Sequence, residues 1–170
     1  MTLANCASSL PPASASPPWC GNQGLGEGPR GRLIVIPRNC VGCRTCELAC
    51  SFVHSRAGAL GRPRIRIHAQ GRGLEAGVIK DRYLQLTCLQ CAEAACAKVC
   101  PTQALVRDET TRAIVLVAER CIGCGLCEAA CPFGHMHFDR QIRLPLKCDL
   151  CGGSPACARF CPHHALEIRP

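Results

Sequence analysis

Sixteen cysteines stand in four quartets: Cys40, Cys43, Cys46 and Cys50; Cys88, Cys91, Cys96 and Cys100; Cys121, Cys124, Cys127 and Cys131; Cys148, Cys151, Cys157 and Cys161. The first and third read C-x2-C-x2-C-x3-C, while the second and fourth stretch the middle gap to four and five residues. Proline follows the last cysteine in three of them, at Pro101, Pro132 and Pro162, and Ser51 takes that place in the first. Three thiolates at intervals of three residues wrap a loop around one 4Fe-4S cubane. The fourth cysteine lies a helical turn further on, faces away, and ligates a second cubane. Four such motifs imply two pairs of clusters.

Composition points the same way. The 170 residues include 18 cysteines and only six aromatics, and the 48% hydrophobic fraction counts every cysteine. Without them the apolar stock is thin, so disulfides or metal must help fill the interior. Met1 to Leu10 has no basic segment followed by an apolar run, so no export signal is expected and the chain is placed in the cytoplasm, where disulfides are rare. The longest apolar runs, 33–36 and 113–118, are far too short to span a bilayer, so no membrane anchor is expected. Zinc is the competing metal, and a zinc-binding scaffold or regulator would use the same sixteen residues. Zinc sites, however, are usually built from two separated C-x2-C knuckles and need no fourth cysteine before proline. Four 4Fe-4S clusters consume all sixteen.

The chain between quartets indicates which of them pair. Residues 104–106 and 114–117 read as two short strands around the turn 108–111, the hairpin of a small two-cluster ferredoxin. This pairs the second quartet with the third and leaves the first for the fourth. The expected ligand sets are Cys40, Cys43, Cys46 and Cys161 for cluster 1; Cys88, Cys91, Cys96 and Cys131 for cluster 2; Cys121, Cys124, Cys127 and Cys100 for cluster 3; and Cys148, Cys151, Cys157 and Cys50 for cluster 4. The fold expected is α+β: two nested bacterial-ferredoxin-like units with short strands and short helices around the clusters. The outer unit comprises 32–75 and 145–170, and the inserted unit 76–144. Further strands are expected at 33–36, 64–68, 83–86, 136–138, 141–144 and 166–168, and short helices at 47–52, 95–99 and 125–130. Residues 1–31, rich in Pro, Gly and Ser, read as an arm or linker holding Cys6, Cys20 and Trp19. Cys6 and Cys20 are expected to be free thiols, and Trp19 is either an anchor on a partner or part of a disordered tail.

The quartet order, with C-x2-C-x4-C-x3-C-P second and Lys147-Cys148-Asp149-Leu150-Cys151 opening the last, resembles the four-cluster electron-transfer subunits of the complex iron-sulfur molybdoenzymes, of the DMSO reductase B-subunit type. The short length and the stretch Cys46 to His54 look most like polyferredoxin subunits that accompany tungsten-containing aldehyde oxidoreductase. The resemblance covers residues 32–170. It implies a non-catalytic relay between a tungsten or molybdenum pterin subunit and a flavin, NAD-linked subunit or ferredoxin. Ferredoxin partners of carbon monoxide dehydrogenase, hydrogenase or formate dehydrogenase are the alternative within the same class. Self-stacking of copies into a longer wire is a further expectation.

The sequence carries a net charge of +8, which alone would invite nucleic acid. Each oxidised cubane with four thiolates carries about −2, so the basic excess reads as compensation for the cofactors and no nucleic-acid partner is expected. Arg44, Lys98, Lys147 and Arg159, beside the ligands, are candidate tuning groups. His54, His68, His135, His137, His163 and His164 are assigned to packing or surface roles, since cysteine fills every ligand position.

Overall fold

Proline sets where three of the four helices stop. In this computed structural model, which describes residues 31–55, 59–75 and 77–169, the helices after the first are single turns: α2 (Ala95–Lys98), α3 (Leu126–Ala129) and α4 (Ala156–Arg159). Each halts just before a Cys-Pro pair, because proline lacks an N–H and drives the preceding residue out of the helical region. α1 (Thr45–Val53) meets Ser51 instead and runs on for nine residues. After each Cys-Pro the chain makes the same turn. Gln103, Gly134 and His164 donate their N–H to the carbonyls of Cys100, Cys131 and Cys161 at 3.2, 3.2 and 3.3 Å, and all three residues have positive φ.

Among the described residues, four two-stranded antiparallel sheets complete the architecture. β1 (Arg32–Val35) pairs with β8 (Leu166–Arg169), with Leu33 opposite Ile168, so the two ends of the described chain meet. β2 (Arg66–Glu75) and β3 (Val78–Leu86) form a long hairpin, β4 (Leu105–Arg107) pairs with β5 (Ile114–Leu116), and β6 (His137–Asp139) pairs with β7 (Leu144–Leu146). α1 packs on α4, whereas α2 packs on α3. First and last elements thus face each other, with the middle ones between them in sequence. The boundaries expected at 75/76 and 144/145 fall at the turn of β2–β3 and within β7.

Three expected strands differ by more than a residue. The one expected at 83–86 is the last part of the nine-residue β3, and the one expected at 64–68 starts at Arg66 and runs on as the ten-residue β2. Its later part, with Gly71 and Gly73, did not read as strand because glycine weakens strands; the structure accommodates Gly71 at φ +93 in a bulge between Ala69 and Gly71. The strand expected at 141–144 begins only at Leu144. The Asp139 carboxylate accepts the N–H groups of Gln141 and Ile142 at 2.9 and 3.4 Å and bends them into a turn.

The apolar core is small and mixed with sulfur. One cluster holds Cys46, Cys50, Ile65, Ile67, Cys157 and Leu166; the other holds Ala94, Leu105, Ile114, Cys127 and Met136. No helix among the described residues is long and apolar enough to cross a membrane. Gly42, at φ +73, lies under the Tyr83 ring, where a Cβ would collide; Gly134 has a similar φ of +62 but open space. Gly134→Ala is therefore expected to cost only the left-handed penalty, about 1–2 kcal/mol, and Gly42→Ala distinctly more. Denaturant unfolding of the two variants under anaerobic conditions measures the difference.

Candidate functional site

The four cysteine loops share one backbone device. The residue before the second cysteine is left-handed in every quartet: Gly42 at φ 73, Gln90 at 49, Gly123 at 69 and Leu150 at 54. Glycine takes that region freely, whereas Gln90 and Leu150 occupy it against their side chains' preference. Left-handed residues also follow the second cysteine at Arg44, Gly125 and Gly152. Turns of this kind point successive N–H groups into a concavity, as anionic sulfur clusters require.

The cysteines converge across quartets. One pocket is lined by Cys40, Cys43, Cys46 and Cys161; a second by Cys88, Cys91, Cys96 and Cys131; a third by Cys100, Cys121, Cys124 and Cys127. The remaining four lie near one another: Cys148, Cys50 and Cys151 act on the buried Cys157 as neighbouring charges, as does Cys46 of the first group more weakly. All sixteen are free of disulfides. Cys6, Cys20 and Trp19 lie outside the described residues.

Burial makes these thiols hard to ionise in the absence of a cation. It pushes Cys46, Cys148 and Cys151 up to about 12 and Cys127 up to about 11, and it raises Cys157 further. The exposed Cys43 runs the other way, lowered by the Thr45 hydroxyl 3.4 Å from its sulfur. Burial also raises Cys100, but the Ala104 N–H at 3.2 Å and the Thr102 hydroxyl bring it down overall. The Ala165 N–H meets the Cys161 sulfur at the same 3.2 Å, and Arg64 donates its N–H to Cys50 Sγ, again at 3.2 Å. Four convergent sulfurs, part-buried and in three of the groups supplied with a backbone N–H donor, fit a cationic iron core that stabilises thiolate. Arg64 adds a second sign of fit. Its Nε and Nη1 are buried and have no acceptor among the described residues, beside a cysteine of the fourth group; an anionic cluster there would supply one.

Of the four expected tuning cations, Lys147 alone reaches a ligand sulfur. It is 5% exposed, and its Nζ donates to Cys88 Sγ at 2.8 Å, Gln90 Oε1 at 3.1 Å and the Cys148 carbonyl at 3.2 Å. Arg44 pairs with Glu47 at 3.5 Å, Lys98 pairs with Glu93, and Arg159 lies over the Phe160 ring. His54 and Asp149 approach to 3.8 Å beside Cys151, as a polar rim to the fourth group. His137 faces Glu128 at 3.9 Å. His135 is half-buried, and burial holds its imidazole below the usual range.

Sequence reasoning passed over three residues that position these groups. Gln90 Nε2 donates to the Cys148 carbonyl at 2.8 Å, while its Oε1 accepts from Ile114 N at 2.9 Å and from Lys147; its one signal was standing where the first and third quartets have glycine. Glu47 and Glu128 each follow the third cysteine of their quartet. Their carboxylates accept the N–H of Ile67 at 2.7 Å and of Phe138 at 2.9 Å, anchoring β2 to α1 and β6 to α3.

The chain matches the model of the 4Fe-4S dicluster domain over residues 79–169 and that of a 4Fe-4S binding domain over 37–53. It is 37% identical over 139 residues to the polyferredoxin-like subunit of aliphatic sulfonate oxidoreductase of Pyrococcus furiosus, covering 80% of this chain and 76% of that one. It is 36% identical to the thiosulfate reductase electron transfer subunit of Salmonella typhi, over 80% of this chain and 73% of the relative. With the B subunit of anaerobic dimethyl sulfoxide reductase of Escherichia coli it shares 34% identity, over 81% of this chain and 72% of the relative.

Hydrogen bonds to a carboxylate are worth about 1.5–3 kcal/mol where little water competes. Glu47→Ala, at a side chain 17% exposed, is expected to lose that much in denaturant unfolding. Glu128→Ala, at 39% exposed, should lose less, and Glu47→Gln, which keeps an acceptor, should recover part of the loss.

Proposed function

Because the chain belongs to the 4Fe-4S dicluster family and is an iron-sulfur electron-transfer subunit of the kind found in oxidoreductase complexes, we propose that it holds four 4Fe-4S clusters and relays electrons through them. The supporting observation is the make-up of the cysteine groups: three pockets each join the first three cysteines of one quartet to the last cysteine of its partner quartet, and Cys50 neighbours Cys151 and Cys157 of the set left over. Bound cubanes each take up and release one electron.

The protein's own residues set the order of the relay. The groups at Cys40 and Cys148 exchange their last ligands, as do those at Cys88 and Cys121. The two pairs adjoin where Lys147 and Gln90 bridge Cys88 and Cys148. This gives the sequence 1, 4, 2, 3. Cys43 and Cys124, the exposed cysteines, belong to the end groups 1 and 3, which are therefore the entry and exit points. Val41 and Ile122, beside them, are 50% and 59% exposed and offer apolar contact to redox partners.

The partner we propose at one end is a tungsten or molybdenum pterin oxidoreductase subunit of the aldehyde oxidoreductase type, with a flavin subunit or ferredoxin at the other. Support comes from the polyferredoxin resemblance and from relatives named as subunits of sulfonate, thiosulfate and dimethyl sulfoxide oxidoreductases. Two exposed ends also suit end-to-end docking of copies. A reducing cytoplasm is the compartment in which sixteen unpaired thiols await iron.

Anaerobically purified protein should contain about sixteen iron and sixteen sulfide per chain, and zinc in their place would refute the reading. Cys161→Ala is expected to lower iron by about a quarter, since one of the four clusters loses a ligand. Alkylation followed by mass spectrometry should then label Cys40, Cys43 and Cys46, while Cys148 and Cys151 stay protected. Labelling of Cys148 and Cys151 instead would overturn the pairing. Tungsten or molybdenum in the complex purified from the native host checks the partner.

A further inference from the structure

We propose that Lys147 is a charge-setting residue shared by the two inner sites, its ammonium raising the reduction potential of the cluster held by Cys88, Cys91, Cys96 and Cys131 and, more weakly, that of the cluster at Cys148. The inference rests on the four-cluster reading and deepens it.

Three observations carry it. The ammonium has three protons and three acceptors, Cys88 Sγ, Gln90 Oε1 and the Cys148 carbonyl, at 2.8, 3.1 and 3.2 Å, so its position is fixed. The side chain is 5% exposed, and no carboxylate pairs with it among the described residues. A buried cation without a counter-anion is strongly destabilising, and the anion within its reach is the Cys88 thiolate with the cluster it would carry. Gln90 then holds the geometry from both sides, since it also donates to the Cys148 carbonyl and accepts from Ile114 N.

The consequence is electrostatic. A positive charge fixed in a poorly solvated interior favours the more negative, reduced form of any cluster beside it, and the effect falls with distance. The direct contact is to the sulfur of Cys88, while Cys148 is touched through its carbonyl, hence the unequal effect. Arg44 and Lys98, whose side chains are 64% and 67% exposed, are screened by water and salt. Lys147 thus makes the middle of the relay the place where electrons rest, leaving the end sites to the influence of whatever docks on them.

The test is a dithionite titration of the holoprotein followed by electron paramagnetic resonance, on wild type, Lys147→Met and Lys147→Arg, with iron and sulfide measured on each. In Lys147→Met one or two of the four reduction steps are expected to move to more negative potential while the others stay in place. In Lys147→Arg, which keeps the charge, the steps should remain near wild type. Unmoved steps in a fully loaded Lys147→Met, or all four moving equally, would overturn the inference. Should Lys147→Met fail to hold its iron, Lys147→Arg decides: near-wild-type steps support the role, and steps displaced downward refute it. Wild type with no cubanes would sink the underlying relay reading, whereas a four-cluster wild type with an unshifted methionine variant sinks this inference alone.

Discussion

A buried thiol resists ionisation, yet a cubane demands four ionised thiols at once, and that conflict governs this protein. Cys46, Cys148 and Cys151 are pushed to about 12 by burial, so as the proposed ligands they would reach their working charge state only when iron supplies the compensating positive charge. Ligand deprotonation, metal binding and folding are then one equilibrium. The hydrophobic clusters are small: among the described residues the larger buries Ile65, Ile67 and Leu166 beyond its three cysteines, with Leu33, Val35, Tyr83 and Ala158 half-buried against them. Apolar packing lines the sites, and metal closes them.

In the proposed ligand sets, cross-ligation would give that closure its reach. Cys161 sits with the first quartet and Cys50 with the fourth, so segments from opposite ends of the described chain depend on each other's sulfur. The β1–β8 pairing and the packing of α1 on α4 impose the same long-range contact through backbone and side chains. Loop closure over such a span is entropically costly, and several independent ties share it. The inner pair needs less: α2 and α3 are separated only by the β4–β5 hairpin.

Much of this was legible in the sequence because the signals were local and stereochemical. Cysteine spacing named the residues that meet across quartets, and short helices were expected at the third cysteines where α1, α2 and α3 stand. The β4–β5 hairpin was readable from two apolar runs around a turn. The β2–β3 hairpin was not, since Gly71 and Gly73 obscure a strand that exists through its partner's hydrogen bonds, a tertiary fact. Glu47 and Glu128 were overlooked for a similar reason: a glutamate after the third cysteine looks like an exposed helix residue until the neighbouring strand brings its N–H within 2.7 or 2.9 Å. Gln90 carried a faint clue in sharing a position with Gly42 and Gly123, but no local rule says that its amide faces the fourth quartet.

The placement of charge separates this chain from a merely basic one. A nucleic-acid surface needs its cations exposed and clustered. Here two cations point inward: Lys147 is enclosed by a sulfur, an amide oxygen and a carbonyl, and Arg64 keeps two buried donors beside Cys50. Desolvating them makes sense only if equally desolvated anions face them, and no carboxylate among the described residues pairs with Lys147. The net charge of +8 is therefore partly a record of the cofactors' own negative charge, about −2 for each oxidised cubane with its thiolates. Lys147 and Cys148 are also adjacent in the chain. In the proposed ligand sets the peptide that gives a sulfur to one site therefore gives a cation to the next, and any movement of that segment would change both sites together.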